Sequence, residues 1–171
     1  MSFNLYYPDF YTATILEWKP VLQPDKFKDI IINSLQFLVE NKRINLYAFV
    51  IMRNHIHVIW QIADAYKPQQ VQQSFMKFTA QLILKELRNN HPQVLKLFQV
   101  DAKDRKYQIW ERNALSIPLF NRSVFLQKLD YIHNNPVKAG VCVLPEVYTY
   151  SSASFYINED KRWNFLTHYE G

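Results

Sequence analysis

Two histidines separated by one residue, His55-Ile56-His57, and a tyrosine four residues ahead of an asparagine, Tyr131 and Asn135, have the types and spacing to do chemistry. If the segment from His55 is a strand, successive side chains alternate between faces, so both imidazoles lie on one side while Ile56 and Val58 point to the other. Such a pair offers two points of a metal site, and it reads equally as two hydrogen-bonded structural histidines. On a helix, Tyr131 and Asn135 share a face one turn apart, whereas Phe125, Leu129 and Ile132 face another way. An amide oxygen is a hard donor, so the two imidazoles plus Asn135 would make a three-ligand site with open positions for phosphate oxygens. A tyrosine hydroxyl ionises only near about pH 10, so as a nucleophile it needs a metal-polarised substrate or a nearby cation. Lys128, three residues before Tyr131, stands on its side of the helix. Tyrosines near helix ends are also common structural residues, and the local pattern leaves both roles open.

The elements that must position these residues follow from periodicity. Residues 9–18, rich in β-branched and aromatic types, read as a first strand, and a run from Asp25 to about Asn41 has apolar residues at helical spacing. Leu46–Met52 and His55–Ile62 read as a hairpin whose tight turn is Arg53–Asn54, with Asn54 suited to positive φ. A long helix is expected over about 69–90, with Val71, Phe75, Phe78, Leu82 and Leu87 on one side. Its basic residues Lys77 and Lys85 would either contact phosphates or line a solvated face. After an irregular segment, 107–112 reads as a fourth strand whose Trp110 would stack on a base or lie in the core. A last helix, capped by Asn121 or Ser123, is expected to end at Asn135, before Pro136. This order predicts an α+β, ferredoxin-like antiparallel sheet with helices packed on one face. A single domain is expected over 1–171, with its core over about 9–140 and an aromatic tail over 141–171 that packs on it as turns, a short helix or turn starting at Tyr150-Ser151-Ser152-Ala153.

Composition narrows the function classes. Only two of 171 residues are glycine, so no glycine-rich phosphate loop is present and the usual nucleotide-cofactor enzymes are disfavoured. Cys142 is the only cysteine, which fits a reducing cytoplasm, and no apolar run reaches bilayer length. Met1 to Phe10 has neither the basic start nor the apolar stretch of a secretion signal. A net charge of +5 is compatible with a nucleic-acid partner, and 11 Tyr, 12 Phe and 4 Trp supply candidate stacking surfaces.

His55-Ile56-His57, preceded by Val50-Ile-Met-Arg-Asn54, together with Tyr131-Ile-His-Asn-Asn-Pro-Val-Lys-Ala-Gly140, resembles the single-tyrosine HUH transposases of small insertion sequences, and most closely their REP-associated relatives. The Trp110 segment and the Tyr150-Ser151-Ser152-Ala153 tail share the likeness, which spans nearly the whole chain. The resemblance implies a ferredoxin-like domain that binds single-stranded DNA beside a hairpin, then cuts and rejoins it with Mg2+ or Mn2+. It implies His55 and His57 as metal ligands, Asn135 as the third, and Tyr131 as the nucleophile that forms a 5′-phosphotyrosine and frees a 3′-hydroxyl. Other branches carry glutamine or another residue at the place of Asn135. Arg53 stands where many relatives have proline and could gain a phosphate contact, as could Lys138 just past the helix. His133, on a different helix face from Tyr131, is expected to be structural or to touch DNA rather than to be a ligand. Relatives act as dimers with tyrosines working across subunits or as monomers, so a homodimer and a monomer both stay open. The competing readings are a DNA-binding protein of the same fold that does not use catalysis, and an unrelated metal-dependent hydrolase in which Tyr131 is structural.

Overall fold

A computed structural model describes residues 6–171, so the first half of the segment read above for a secretion signal lies outside the described residues. The chain runs through β1 (Asp9–Thr14), α1 (Asp25–Glu40), β2 (Ile44–Ile51), β3 (His55–Ile62), α2 (Pro68–Asn90), the single turn α3 (Pro92–Leu95), β4 (Leu115–Pro118), α4 (Arg122–Lys138) and α5 (Ala153–Asn158). The four strands form one antiparallel sheet in the order β2-β3-β1-β4, the split arrangement of the ferredoxin-like class.

Alternation along β3 sorts the core into two layers. Ile56, Val58, Trp60 and Ile62 pack with Phe27, Ile31 and Leu35 of α1 and Val71, Phe75 and Ile83 of α2. Ile59, on the other face, packs with Phe10, Ala48 and Val50 of the sheet and with Phe125, Leu129 and Ile132 of α4. The α+β sheet is thus as expected, with α1 and α2 together on one face. The expectation of helices on one face alone is corrected by α4, which covers the opposite one.

Further expectations differ from the structure, each for a local reason, among them the strand expected over 9–18, which ends at Thr14. Residues 107–112 form no ladder: Tyr107 and Trp110 make isolated bridges to Gln99 and Ile15, and the adjacent Ile109 and Trp110 are both buried, which breaks strand alternation. The fourth strand is instead the short edge Leu115–Pro118, mostly exposed and closed by a proline, so it carries almost no apolar signal. On α2 the buried row runs through Thr79 and Ile83, leaving Phe78 50% exposed. At the hairpin turn neither Arg53 nor Asn54 has positive φ. Their carbonyls accept from the N–H groups of Leu22 and Ile15 at 2.9 and 2.8 Å, so the segment after β1 holds the turn.

Asn121 caps α4, its Oδ1 accepting from Val124 N–H at 2.9 Å, but the helix passes Pro136 and ends only at Lys138. An interior proline costs about 3 kcal/mol. Burial of Phe125, Leu129 and Ile132 contributes about 1.5–3 kcal/mol each and outweighs it. The stop comes from Gly140 at φ +74°: Gly140 N–H donates to Val137 O at 3.0 Å and Val141 N–H to Pro136 O at 2.9 Å.

The tail then returns along β2. Ile51 N–H donates to Tyr150 O at 2.9 Å, Ser152 N–H to Phe49 O at 3.0 Å, and Ser151 bridges Val50, which covers the free edge of β2. Ser152 Oγ lies 2.8 Å from Nε2 of the buried His133, pinning the tail to α4, and α5 follows from Ala153. His133 is therefore a structural residue.

Two outcomes follow for stability. Nothing lies within 4 Å of a Cβ placed on Gly140, so Gly140→Ala should cost about 1–2 kcal/mol through backbone conformation alone, as read by urea unfolding. Burial pushes His133 down from 6.5 to about 4. Between those values the unfolded chain holds the proton and the folded chain does not, so the stability present above pH 6.5 is lost as pH falls toward 4. Unfolding measured across that range should show a slope smaller by about 1.4 kcal/mol per pH unit in His133→Gln, which has no titrating ring.

Candidate active site

β3 pairs His55 with Thr14 and His57 with Thr12 of β1, which sets both imidazoles on the face that α4 covers. Their ring centroids are 4.9 Å apart. His57 stacks on Phe10 at 5.3 Å and meets the Tyr131 ring edge-on at 5.2 Å. His55 Nε2 lies 3.3 Å from Asn135 Oδ1. The structure thus brings His55, His57, Tyr131 and Asn135 together within one chain, although 80 positions separate His55 from Asn135.

Helix α4 manages this with two stripes. Phe125, Leu129, Ile132 and Pro136 are buried, while Lys128, Tyr131, Asn135 and Lys138 follow at intervals of three and four residues beside them. Tyr131 remains 41% exposed. The Lys128 ammonium lies 4.8 Å from the Phe10 ring and 5.7 Å from the Tyr131 ring, and that of Lys138 lies 5.8 Å from the Tyr131 ring. Two cations therefore flank the phenol.

Burial sets the protonation of the histidines. It pushes His57 down to about 3, with the positive charges of His55 and Lys128 adding to the effect. Burial also lowers His55, opposed by its hydrogen bond with Asn135. A neutral imidazole has one N–H and one lone pair. His57 Nδ1 is 2.7 Å from Thr12 Oγ1, so an N–H donated there leaves Nε2 as a free lone pair. His55 faces two amide oxygens, Asn54 Oδ1 at 2.8 Å from Nδ1 and Asn135 Oδ1 at 3.3 Å from Nε2, with a single N–H to give. The shorter contact takes it. The Nε2 lone pair then looks at Asn135, whose amide either turns to donate its NH2 or keeps its oxygen there and shares a cation. This donor set fits a divalent metal. Among the described residues no three His, Cys, Asp or Glu side chains cluster, and the α4 side chain that meets His55 is the neutral amide of Asn135. Three neutral ligands would leave the full positive charge of a cation for phosphate oxygens.

The other sequence candidates fall in different places. Arg53 is exposed on the turn just before His55. Lys77 and Lys85 are exposed on α2, across the sheet from Tyr131, and do not join the site. Trp110 is 6% exposed and donates its indole N–H to Thr79 Oγ1 at 3.0 Å, so it is a core residue with no face open for a base. Three residues escaped the sequence reading: Thr12, whose role depends on strand register; Asn54, taken as a turn residue only; and Trp18, taken as the end of a strand. Trp18 is 60% exposed, and its ring centroid lies 5.7 Å from that of His55. Among the described residues no helix is long and apolar enough to cross a membrane.

The family described as "Transposase IS200 like" matches residues 14–101, more than half of the chain, a stretch that contains both histidines and stops before α4. No curated protein matches the chain. A solved structure of a REP-associated tyrosine transposase bound to a REP hairpin is similar at a TM-score of 0.65 and 15% identity, over 98% of this chain and 86% of that one. This likeness carries the fold, through α4 and the tail as well as the matched stretch. The pairing of histidines on β3 with a tyrosine helix packed on the same face of the sheet is thus found in a chain that belongs to the IS200-like transposase family.

Proposed function

We propose that this chain cuts and rejoins single-stranded DNA beside a hairpin, with Tyr131 as nucleophile and a divalent cation, Mg2+ or Mn2+, held by His55, His57 and Asn135. The observation that carries this reading is the half-exposed Tyr131 set against His57 at 5.2 Å between ring centroids, with two lysines beside it. Membership of a transposase family and a structural relative bound to a DNA hairpin support the substrate class.

The Tyr131 oxygen would attack the scissile phosphorus and form a P–O bond as the bond to the 3′ oxygen breaks. The phenol gives up its proton to water as it attacks, the 3′ oxygen takes one up from water and leaves as a hydroxyl, and the 5′ phosphate stays on Tyr131. Attack by a 3′-hydroxyl on that phosphotyrosine reverses the step and rejoins a strand without nucleotide hydrolysis. The cation, when bound, supplies charge that polarises the phosphate. The burial that keeps His55 and His57 neutral leaves their lone pairs available at neutral pH. In this reading the ammonium groups of Lys128 and Lys138, which flank the Tyr131 ring, offset charge that builds on the phosphate oxygens, and the exposed Arg53 holds the strand near the turn. All four central residues come from one chain, which supports a tyrosine acting on the phosphate at its own histidines; a homodimer would then serve to arrange two such sites, and a monomer to hold one.

Incubation with hairpin-bearing single-stranded DNA and Mn2+ should give a covalent adduct on a denaturing gel. Tyr131→Phe should lower adduct formation by roughly three orders of magnitude or more while DNA binding persists. An adduct that survives Tyr131→Phe refutes the nucleophile. Cleavage with no adduct points to the hydrolase, and binding without cleavage to a DNA-binding protein of this fold. Asn135→Ala should raise the Mn2+ concentration needed for half-maximal cleavage by about tenfold or more.

A further inference from the structure

Between β1 and α1 the chain makes a short turn in which two consecutive residues other than glycine, Glu17 and Trp18, take the left-handed conformation, at φ 52° and 57°. Such backbone costs about 1–3 kcal/mol per residue and persists only where neighbours over-determine it. Here they do. Trp18 N–H donates to Ile15 O at 2.8 Å, Glu17 N–H to Glu111 Oε1 at 2.6 Å, and Asn54 Nδ2 to Trp18 O at 3.3 Å. The result of this costly turn is a large aromatic side chain left 60% exposed beside His55. Packing offers no account of it, because the ring leaves the core.

The Asn54 side chain registers the indole against the site. Its Oδ1 lies 2.8 Å from His55 Nδ1 while its Nδ2 holds the Trp18 carbonyl, so one amide fixes both the imidazole and the turn that carries the indole. The Glu17 carboxylate is answered by Lys19 Nζ at 3.1 Å, which reduces its repulsion of a nearby phosphate.

We infer that Trp18 is a stacking platform for the unpaired nucleobase adjoining the phosphate held at His55 and His57, a residue that positions the strand for cleavage. This rests on the proposed single-stranded DNA substrate. Every base has a π face, so stacking would grip the flank whatever its sequence and set the distance from base to scissile phosphate.

The test is a binding cycle with no cleavage step, run with Tyr131→Phe protein, hairpin DNA with a single-stranded flank, and the same DNA with one abasic nucleotide placed at each flank position in turn. Trp18 is the only exposed tryptophan of the four, since Trp60 and Trp110 are buried and Trp163 is half-buried, so indole fluorescence reports on it. DNA should quench that fluorescence, and Trp18→Ala should weaken binding by about tenfold, with Trp18→Phe recovering part. One abasic position should weaken binding to a similar degree with Trp18 present and cost nothing further in Trp18→Ala. If every abasic position costs the same in both proteins, or if quenching is absent while DNA binds, the platform is refuted. Failure to bind single-stranded DNA at all overturns the platform and the proposed substrate together. Quenching with no adduct in the unsubstituted protein overturns the cleavage chemistry and leaves the platform standing.

Discussion

β3 lies between β2 and β1, and its register against both decides which way the imidazoles point: His57 is opposite Thr12 on one side and Val50 on the other. A slip of one residue would turn both histidines into the layer of α1 and α2 and expel Ile56, Val58 and Trp60 toward α4. Three large, fully buried apolar side chains oppose that slip, each worth about 1.5–3 kcal/mol in burial. The site's geometry is thus held by the hydrophobic layer on the far side of the sheet, which never touches a ligand. The turn at Arg53–Asn54 has a smaller share, because its carbonyls are held by Leu22 and Ile15 and so bind β3 to the end of β1.

The second surface of the site depends on the first. α4 docks through Phe125, Leu129 and Ile132 onto Phe10, Val50 and Ile59, the same sheet face that carries the histidines. Docking therefore does two things at once: it lays the Lys128, Tyr131, Asn135 and Lys138 stripe alongside the imidazoles, and it excludes the water that would otherwise stabilise a charged histidine. The low titration of His57 and the closeness of Tyr131 have one cause. The tail reinforces the arrangement, since Ser152 reaches both the Phe49 backbone and His133 on α4.

Around this pair of surfaces the backbone departs from its easy conformations close to the candidate site. Pro136 lies inside α4 one residue after Asn135, and Glu17 and Trp18 occupy left-handed backbone in the turn whose Trp18 ring centroid lies 5.7 Å from that of His55. In each case neighbouring packing or hydrogen bonds override a local preference. Sequence rules based on local preference end α4 early and read Trp18 as strand for that reason.

Much of the chain was legible residue by residue. The alternation that puts His55 and His57 on one face, the i,i+4 spacing of Tyr131 and Asn135, the Asn121 cap, and the strand and helix order of the ferredoxin-like sheet all rest on short-range geometry, which the sequence by itself determines. The tertiary structure decided the rest. It placed α4 on the sheet face opposite α1 and α2, moved the edge strand to the weakly apolar Leu115–Pro118, sank Trp110 into the core, left Lys77 and Lys85 across the sheet from Tyr131, and set Thr12, Asn54 and Trp18 around the histidines. These are contacts between segments far apart in the chain. Local periodicity says which face of an element is apolar, but only the packing of layers says which partner that face meets.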